Sequence, residues 1–94
     1  MEEKTLEKKI EEIKNKIINY VKETSVFLEP DQPIPIDVSL LEAGLIDSYG
    51  VVELLSFIET NWNIKVSDEE VTKDNLGSIN KMCHYIFKKT MKAH

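Results

Sequence analysis

Apolar residues recur at steps of three and four in three separate stretches of this chain, a spacing that is hidden from water only if the stretches are helices packed on one another. The first stretch, residues 2–24, carries Leu6, Ile10, Ile13, Ile17 and Val21 among Lys and Glu. It predicts a long amphipathic helix and offers too few heptads for a coiled coil. The second begins at Asp47 or Ser48, both residue types that favour the N-cap. It carries Val51, Leu54, Leu55, Ile58 and Trp62, with Asn61 and Asn63 suited to its end. The third runs from about Ser78 to Lys89. Ile79, Met82, Cys83, Ile86 and Phe87 form its stripe, and lysines crowd the C-terminal end, where the helix dipole favours cations.

What lies between the stretches sets the order of the elements. Pro30, Pro33 and Pro35 forbid a continuous helix from Glu29 to Asp37, so this segment must cross one end of the bundle. Ser39-Leu40-Leu41-Glu42 has capping-box spacing and predicts one helical turn before Gly44. Ile64 and Val66 form a short apolar link. Ser67-Asp68-Glu69-Glu70 is a second capping box, opening a short third helix that Asn75 and Gly77 punctuate. The expected fold class is all-α: a small four-helix bundle, three longer helices plus one short helix, in a single domain spanning residues 1–94. A chain of 94 residues has room for one modest core. Phe57, Ile58, Trp62 and Phe87 are expected to fill it.

Charge narrows the functions. The net charge is −5, and it is unevenly placed: −2 over residues 1–36, −7 over residues 37–70 and +4 over residues 71–94. An acidic middle argues against nucleic-acid binding, which needs a basic stripe, and favours a partner with a basic docking surface. No apolar run is long enough for a membrane span, and no signal-peptide core opens the chain, so a cytoplasmic location is expected. The lone Cys83 forms no internal disulfide and suits a reducing compartment. Nothing in the sequence demands a dimer, and a monomer is expected.

Residues 44–62 read Gly-Leu-Ile-Asp-Ser-Tyr-Gly-Val-Val-Glu-Leu-Leu-Ser-Phe-Ile-Glu-Thr-Asn-Trp. An Asp-Ser pair at a helix start, followed by an apolar stripe with Glu-Leu and a later Glu, resembles the prosthetic-group attachment region of the acyl carrier protein family. Leu40 to Leu45 resembles that family's loop ahead of the serine. Ile64 to Val71 resembles its link into the short helix, and Asn75 to Ile79 the start of its last helix. The likeness spans roughly Leu40 to Phe87. It implies a carrier, not an enzyme, that holds acyl or aminoacyl groups as thioesters on a 4'-phosphopantetheine arm attached to Ser48, with Asp47 beside it. It further implies a phosphopantetheinyl transferase that takes the arm from coenzyme A with magnesium, an adenylating acyl or aminoacyl ligase that loads it, and downstream acyl-transfer enzymes that unload it.

Helical spacing suggests the surface those partners meet. Val52, Leu55 and Glu59 follow Ser48 by four, seven and eleven residues, on its side of the helix, whereas Leu54 and Ile58 face the core. Val52, Leu55 and Ser56 are expected to touch a partner, with Asp47, Glu53 and Glu59 supplying charge; simple burial is the rival reading for Leu55. The chain departs from fatty-acid carriers at Tyr49, where those have Leu or Met, and at Gly50, Thr60 and Asn61, where they have acids. Gly-Leu-Ile-Asp-Ser-Tyr-Gly resembles stand-alone carriers that serve adenylating ligases. D-alanyl carrier proteins share that local pattern, although Asp74 to Ile79 resembles them less. A short polar or aminoacyl cargo is expected over a long fatty chain, because a well-packed core resists opening.

Other readings are weaker. A helical interaction module that keeps the fold without the modification is the alternative from another class. Ser48 could also be nothing more than an N-cap. Cys83 and His84 are neighbours in sequence and point apart on a helix, so Cys83 is expected to be a buried, inert thiol. His84 and His94 lack metal-ligand spacing, and Asp68-Glu69-Glu70 lacks the calcium-loop pattern. A triad of Ser48, His84 and an acid has little room for a substrate pocket in so small a domain.

Overall fold

The computed structural model describes residues 2–29 and 31–92; Pro30 and His94, both named above, lie outside them. Four α-helices follow in order: α1 (Glu2–Thr24), α2 (Ser48–Trp62), α3 (Lys73–Leu76) and α4 (Ile79–Lys92), with a 3-10 turn at Asp68–Glu70 ahead of α3. The all-helical expectation holds, and the three longer helices fall where the apolar spacing puts them. α4 extends to Lys92 instead of ending near Lys89. Ser78 stands just outside it as a buried cap, its Oγ accepting the Lys81 N–H at 3.2 Å.

The core is built on α4. Ile79, Met82, Cys83 and Ile86 are buried, and α4 packs against α1, α2 and α3. Ile13, Ile17 and Val21 of α1 and Leu54 and Ile58 of α2 complete the interior. Each such side chain contributes about 1.5–3 kcal/mol on burial. Leu6 departs from its expected place: it is 41% exposed, and the buried stripe of α1 begins at Ile13. Of the bulky residues expected inside, only Ile58 is fully buried. Phe57, Trp62 and Phe87 are half-buried and pack against the core from its edge. There Tyr20 stacks on Phe57 with centroids 4.2 Å apart, and Trp62 meets Phe57 edge-on at 5.9 Å.

The proline-bearing segment crosses as expected, and α4 anchors it. The Asn80 N–H in the first turn of α4, which has no partner inside its own helix, donates to the Ile36 carbonyl at 2.9 Å. The Asn80 side chain adds a bond to Asp37 Oδ1 at 3.1 Å. Ser39 then caps a single turn, its Oγ accepting from Glu42 N at 3.2 Å. That turn closes at Gly44, with φ 76, through paired bonds from Leu45 N to Leu40 O at 3.0 Å and from Gly44 N to Leu41 O at 3.1 Å. This is a Schellman-type stop. It needs a residue that tolerates positive φ, and it brings Leu40 and Leu45 together, both buried.

The third helix differs from expectation. The Ser67–Glu70 capping box is present on both sides, but it opens only the 3-10 turn. The chain breaks at Val71 and restarts under a second cap, Thr72, whose Oγ1 accepts from Asn75 N at 3.2 Å. Asn75 therefore sits inside α3 instead of ending it, and its side chain reaches back to the Glu70 carbonyl at 3.0 Å. Glu70 also reaches α4, where Lys89 Nζ lies 2.9 Å from its Oε1.

The Lys89 ammonium, with help from the Ser67 N–H, holds the Glu70 carboxyl at about 2, well below its ordinary 4.5. A lowered folded value means that Glu70 contributes stability above about pH 4.5 and loses it as pH falls from there to about 2. Denaturant titrations between pH 6 and pH 2 should show an acid-side loss of stability that is smaller in Glu70→Gln than in the parent. Equal acid dependence in the two proteins would mean that the Glu70–Lys89 pair does not couple to folding.

Candidate functional site

The site is the start of α2. Asp47 is the N-cap, in extended conformation with φ −105 and ψ −176, and its Oδ1 accepts the Gly50 N–H at 2.8 Å. Its carbonyl takes the Val51 N–H at 3.0 Å. Gly50 suits this cap because a Cβ there would meet Ile46 Cβ at 3.2 Å and Asp47 Oδ1 at 3.4 Å, crowding the carboxylate that closes the helix end. Two buried anchors hold the loop in front: Leu45 lies in the core, and its carbonyl accepts the Ser25 hydroxyl from the end of α1.

Ser48 is the first helical residue, exposed, and not the cap, so the reading of Ser48 as a mere N-cap is corrected. Asp47 does the capping, and among the described residues no hydrogen bond involves the Ser48 hydroxyl. The hydroxyl therefore projects from the positive end of the α2 dipole beside unpaired first-turn N–H groups, a position that favours an attached anion by about 0.3–1 kcal/mol. No activating base is needed on this chain for a serine modified by a separate enzyme.

The residues expected to dock a partner separate in three directions. Val52, Glu53 and Ser56 are exposed, as is Tyr49 at 72%, so a mixed apolar and acidic surface borders the serine. Leu55 is half-buried. It lines an apolar groove of about 270 Å³ between α2 and the segment leading into α3, shared with Leu41, Val51, Ile58, Val71 and Leu76. The interior is thus less tightly closed on this side than a packed core implies. Glu59 is also half-buried, and its Oε2 accepts the Val66 N–H at 2.9 Å, tying the end of α2 to the link beyond it. That tie, and the place of Tyr49 beside Ser48, are what sequence spacing missed. The signal for the tie was the apolar Ile64–Val66 pair following closely on a glutamate.

The rival sites fall away on geometry. Cys83 is fully buried and His84 exposed, and burial pushes the Cys83 thiol up to about 11. Among the described residues no group of three His, Cys, Asp or Glu side chains gathers to hold a metal ion. No helix among them is long and apolar enough to cross a membrane.

The division of labour at the helix start makes two substitutions distinguishable. Asp47→Ala should cost about 0.5–2 kcal/mol in denaturant unfolding, as loss of a cap. Ser48→Ala should stay within about 0.5 kcal/mol of the parent, as an exposed change with no bond to lose. A larger loss for Ser48→Ala than for Asp47→Ala would show that the hydroxyl has a structural role after all.

Known proteins with this pattern are carriers. No protein-family model matches the chain. It is 35% identical over 71 residues to a D-alanyl carrier protein of Streptococcus suis strain 98HAH33, covering 76% of this chain and 86% of that protein. A D-alanyl carrier protein of Streptococcus suis strain 05ZYH33 is 34% identical over the same shares. One of Streptococcus pyogenes serotype M5 is 39% identical over 46 residues, 49% of this chain and 58% of that protein. With a helix-start serine in an all-helical bundle and this degree of identity across most of the chain, the protein belongs to the D-alanyl carrier family, stand-alone carriers of the acyl carrier protein type.

Proposed function

We propose that Ser48 is the attachment point of a 4'-phosphopantetheine arm and that this chain delivers an aminoacyl group on it. The single observation that carries this reading is the exposed Ser48 hydroxyl at the first position of α2, freed from capping by Asp47. A transferase would direct that hydroxyl onto the diphosphate of coenzyme A, forming a phosphodiester to Ser48 and releasing adenosine 3',5'-bisphosphate. The hydroxyl proton leaves to a base on the transferase. When bound, the arm supplies a thiol that holds cargo as a thioester.

The relatives named above carry D-alanyl groups by name, and we extend that cargo to this chain. The partners are then a phosphopantetheinyl transferase, an adenylating ligase for the amino acid and an acyl-transfer enzyme that unloads it. The carrier has no turnover of its own and works in the cytoplasm. Partner docking uses Tyr49, Val52, Glu53 and Ser56, the exposed residues bordering Ser48, while the −7 charge of residues 37–70 steers a basic surface toward them.

Coexpression with a broad-specificity phosphopantetheinyl transferase should add the mass of one arm, and Ser48→Ala should abolish that gain. A Ser48→Ala protein that still gains the arm would sink the assignment.

Docking has its own test. Glu53→Lys should slow ligase-catalysed loading by up to about tenfold, and added salt should shrink the difference, because exposed charges are screened beyond about 8–10 Å at moderate ionic strength. Glu59 is unsuited to this test, since its replacement would also break the tie to Val66. Loading that ignores both salt and Glu53→Lys would assign docking to Tyr49 and Val52 alone.

A further inference from the structure

A second cavity opens beside Ser48, on the α1 side of α2. It measures about 210 Å³ and lies between the C-terminal end of α1 and the first turns of α2. Asp47 and Tyr49, the two chain neighbours of Ser48, both line it, so a flexible arm fixed to Ser48 starts at its mouth. Tyr20, Thr24, Phe27 and Glu53 form the rest of the wall that matters. The surface mixes these aromatic rings with aliphatic side chains such as Val21, Ile46 and Leu54; its charged lining residues are Asp47 and Glu53, and no lysine lines it.

The two carboxylates are not equivalent. Asp47 is committed to the helix cap through Gly50. Glu53 is exposed and forms no ion pair among the described residues. Beside it Tyr20 is held in place, its ring stacked on Phe57. Burial raises the Tyr20 phenol above its ordinary 10.0, and the Glu53 charge raises it further, which places that charge close to the ring.

These features select among cargoes. A carboxylate or phosphate at the tip of the arm would be repelled by Glu53 and Asp47. A long acyl chain is poorly matched to a space of about 210 Å³, since pockets that hold drug-sized ligands measure about 300–1,000 Å³. A small group bearing an ammonium meets both conditions, with a carboxylate to pair and tyrosine faces that attract cations. We infer that this cleft receives the aminoacyl end of the arm, with the α-ammonium of the cargo against Glu53 and the rings of Tyr20 and Tyr49.

The inference rests on Ser48 as the attachment point, and it adds a holding site on the carrier itself. An ammonium paired with Glu53 stays protonated to higher pH. It is therefore less available to attack a neighbouring thioester while the carrier travels between enzymes.

The test uses two arms attached to Ser48 by the transferase, each ending in an amide in place of the labile thioester. One carries an isotope-labelled alanyl group with a free amine, the other its N-acetyl counterpart. Amide and side-chain NMR signals of Tyr20, Thr24, Tyr49 and Glu53 should shift with the alanyl arm and not with the acetylated one. The alanyl amine should titrate at least about half a pH unit higher than on free pantetheine, a threefold change in proton affinity, and Glu53→Gln should return it. If intact mass shows the arm on Ser48 but the amine titrates as in free solution and the two arms give the same spectra, the holding site is wrong and the carrier reading stands. If neither arm attaches, both fall together.

Discussion

The burial of one side of α4 is the constraint on which the rest depends. Ile79, Met82, Cys83 and Ile86 present an apolar stripe that only other elements can cover, and α1, α2 and α3 each pack against α4. The connections serve that arrangement. Asn80 fixes the crossing segment to the first turn of α4 by backbone and side chain. Glu70 fixes the turn ahead of α3 to Lys89. Tyr85, on the same helix, is buried so fully that its phenol is pushed up to about 12, with the Glu70 carboxylate adding to the effect. A helix held on so many sides makes a rigid base against which the start of α2 is set.

From that base the start of α2 is positioned in steps. Leu40 and Leu45 are buried, the Gly44 turn joins them, and Asp47 then closes the helix end. Each step uses up a backbone group or an apolar side chain, and what is left exposed is Ser48 with Tyr49, Val52 and Glu53. α2 thereby carries two tasks along one helix. Leu54 and Ile58 face inward and hold it, while Tyr49, Val52, Glu53 and Ser56 face water.

Much of this was legible in the sequence, because period and caps are local signals. The stripes of α1, α2 and α4 and the capping boxes at Ser39 and Ser67 depend on residues within a few positions of each other. What escaped was set by distant partners. Leu6 fits the periodicity of α1 yet is exposed, so the period alone does not tell which turns of the helix are covered. Glu59 has the spacing of a surface acid, but the chain folds back to offer it the Val66 N–H. The break between the 3-10 turn and α3 reflects a competing cap at Thr72 that the stronger Ser67 box obscured. The choice between Asp47 and Ser48 as cap could not be made from residue preference, because both types cap well.

The two cavities flanking Ser48 bear on cargo in opposite ways. The groove on the α3 side is lined mainly by Leu, Ile and Val, with Glu42 and Lys73 also on its wall. The cleft on the α1 side mixes aromatic and aliphatic side chains with the carboxylates of Asp47 and Glu53. An ammonium among the apolar residues of the first would lose its hydration at a cost of several kcal/mol, and the opposite charges of Glu42 and Lys73 on that wall offset each other. In the second it keeps a counter-charge and remains partly solvated. An apolar chain faces the reverse preference, since the groove removes more of it from water. On the function proposed above, cargo charge would favour one side of α2 over the other. A carrier serving an amino-acid ligase would leave the groove toward α3 free, and with it the apolar face that Leu41 and Leu55 share.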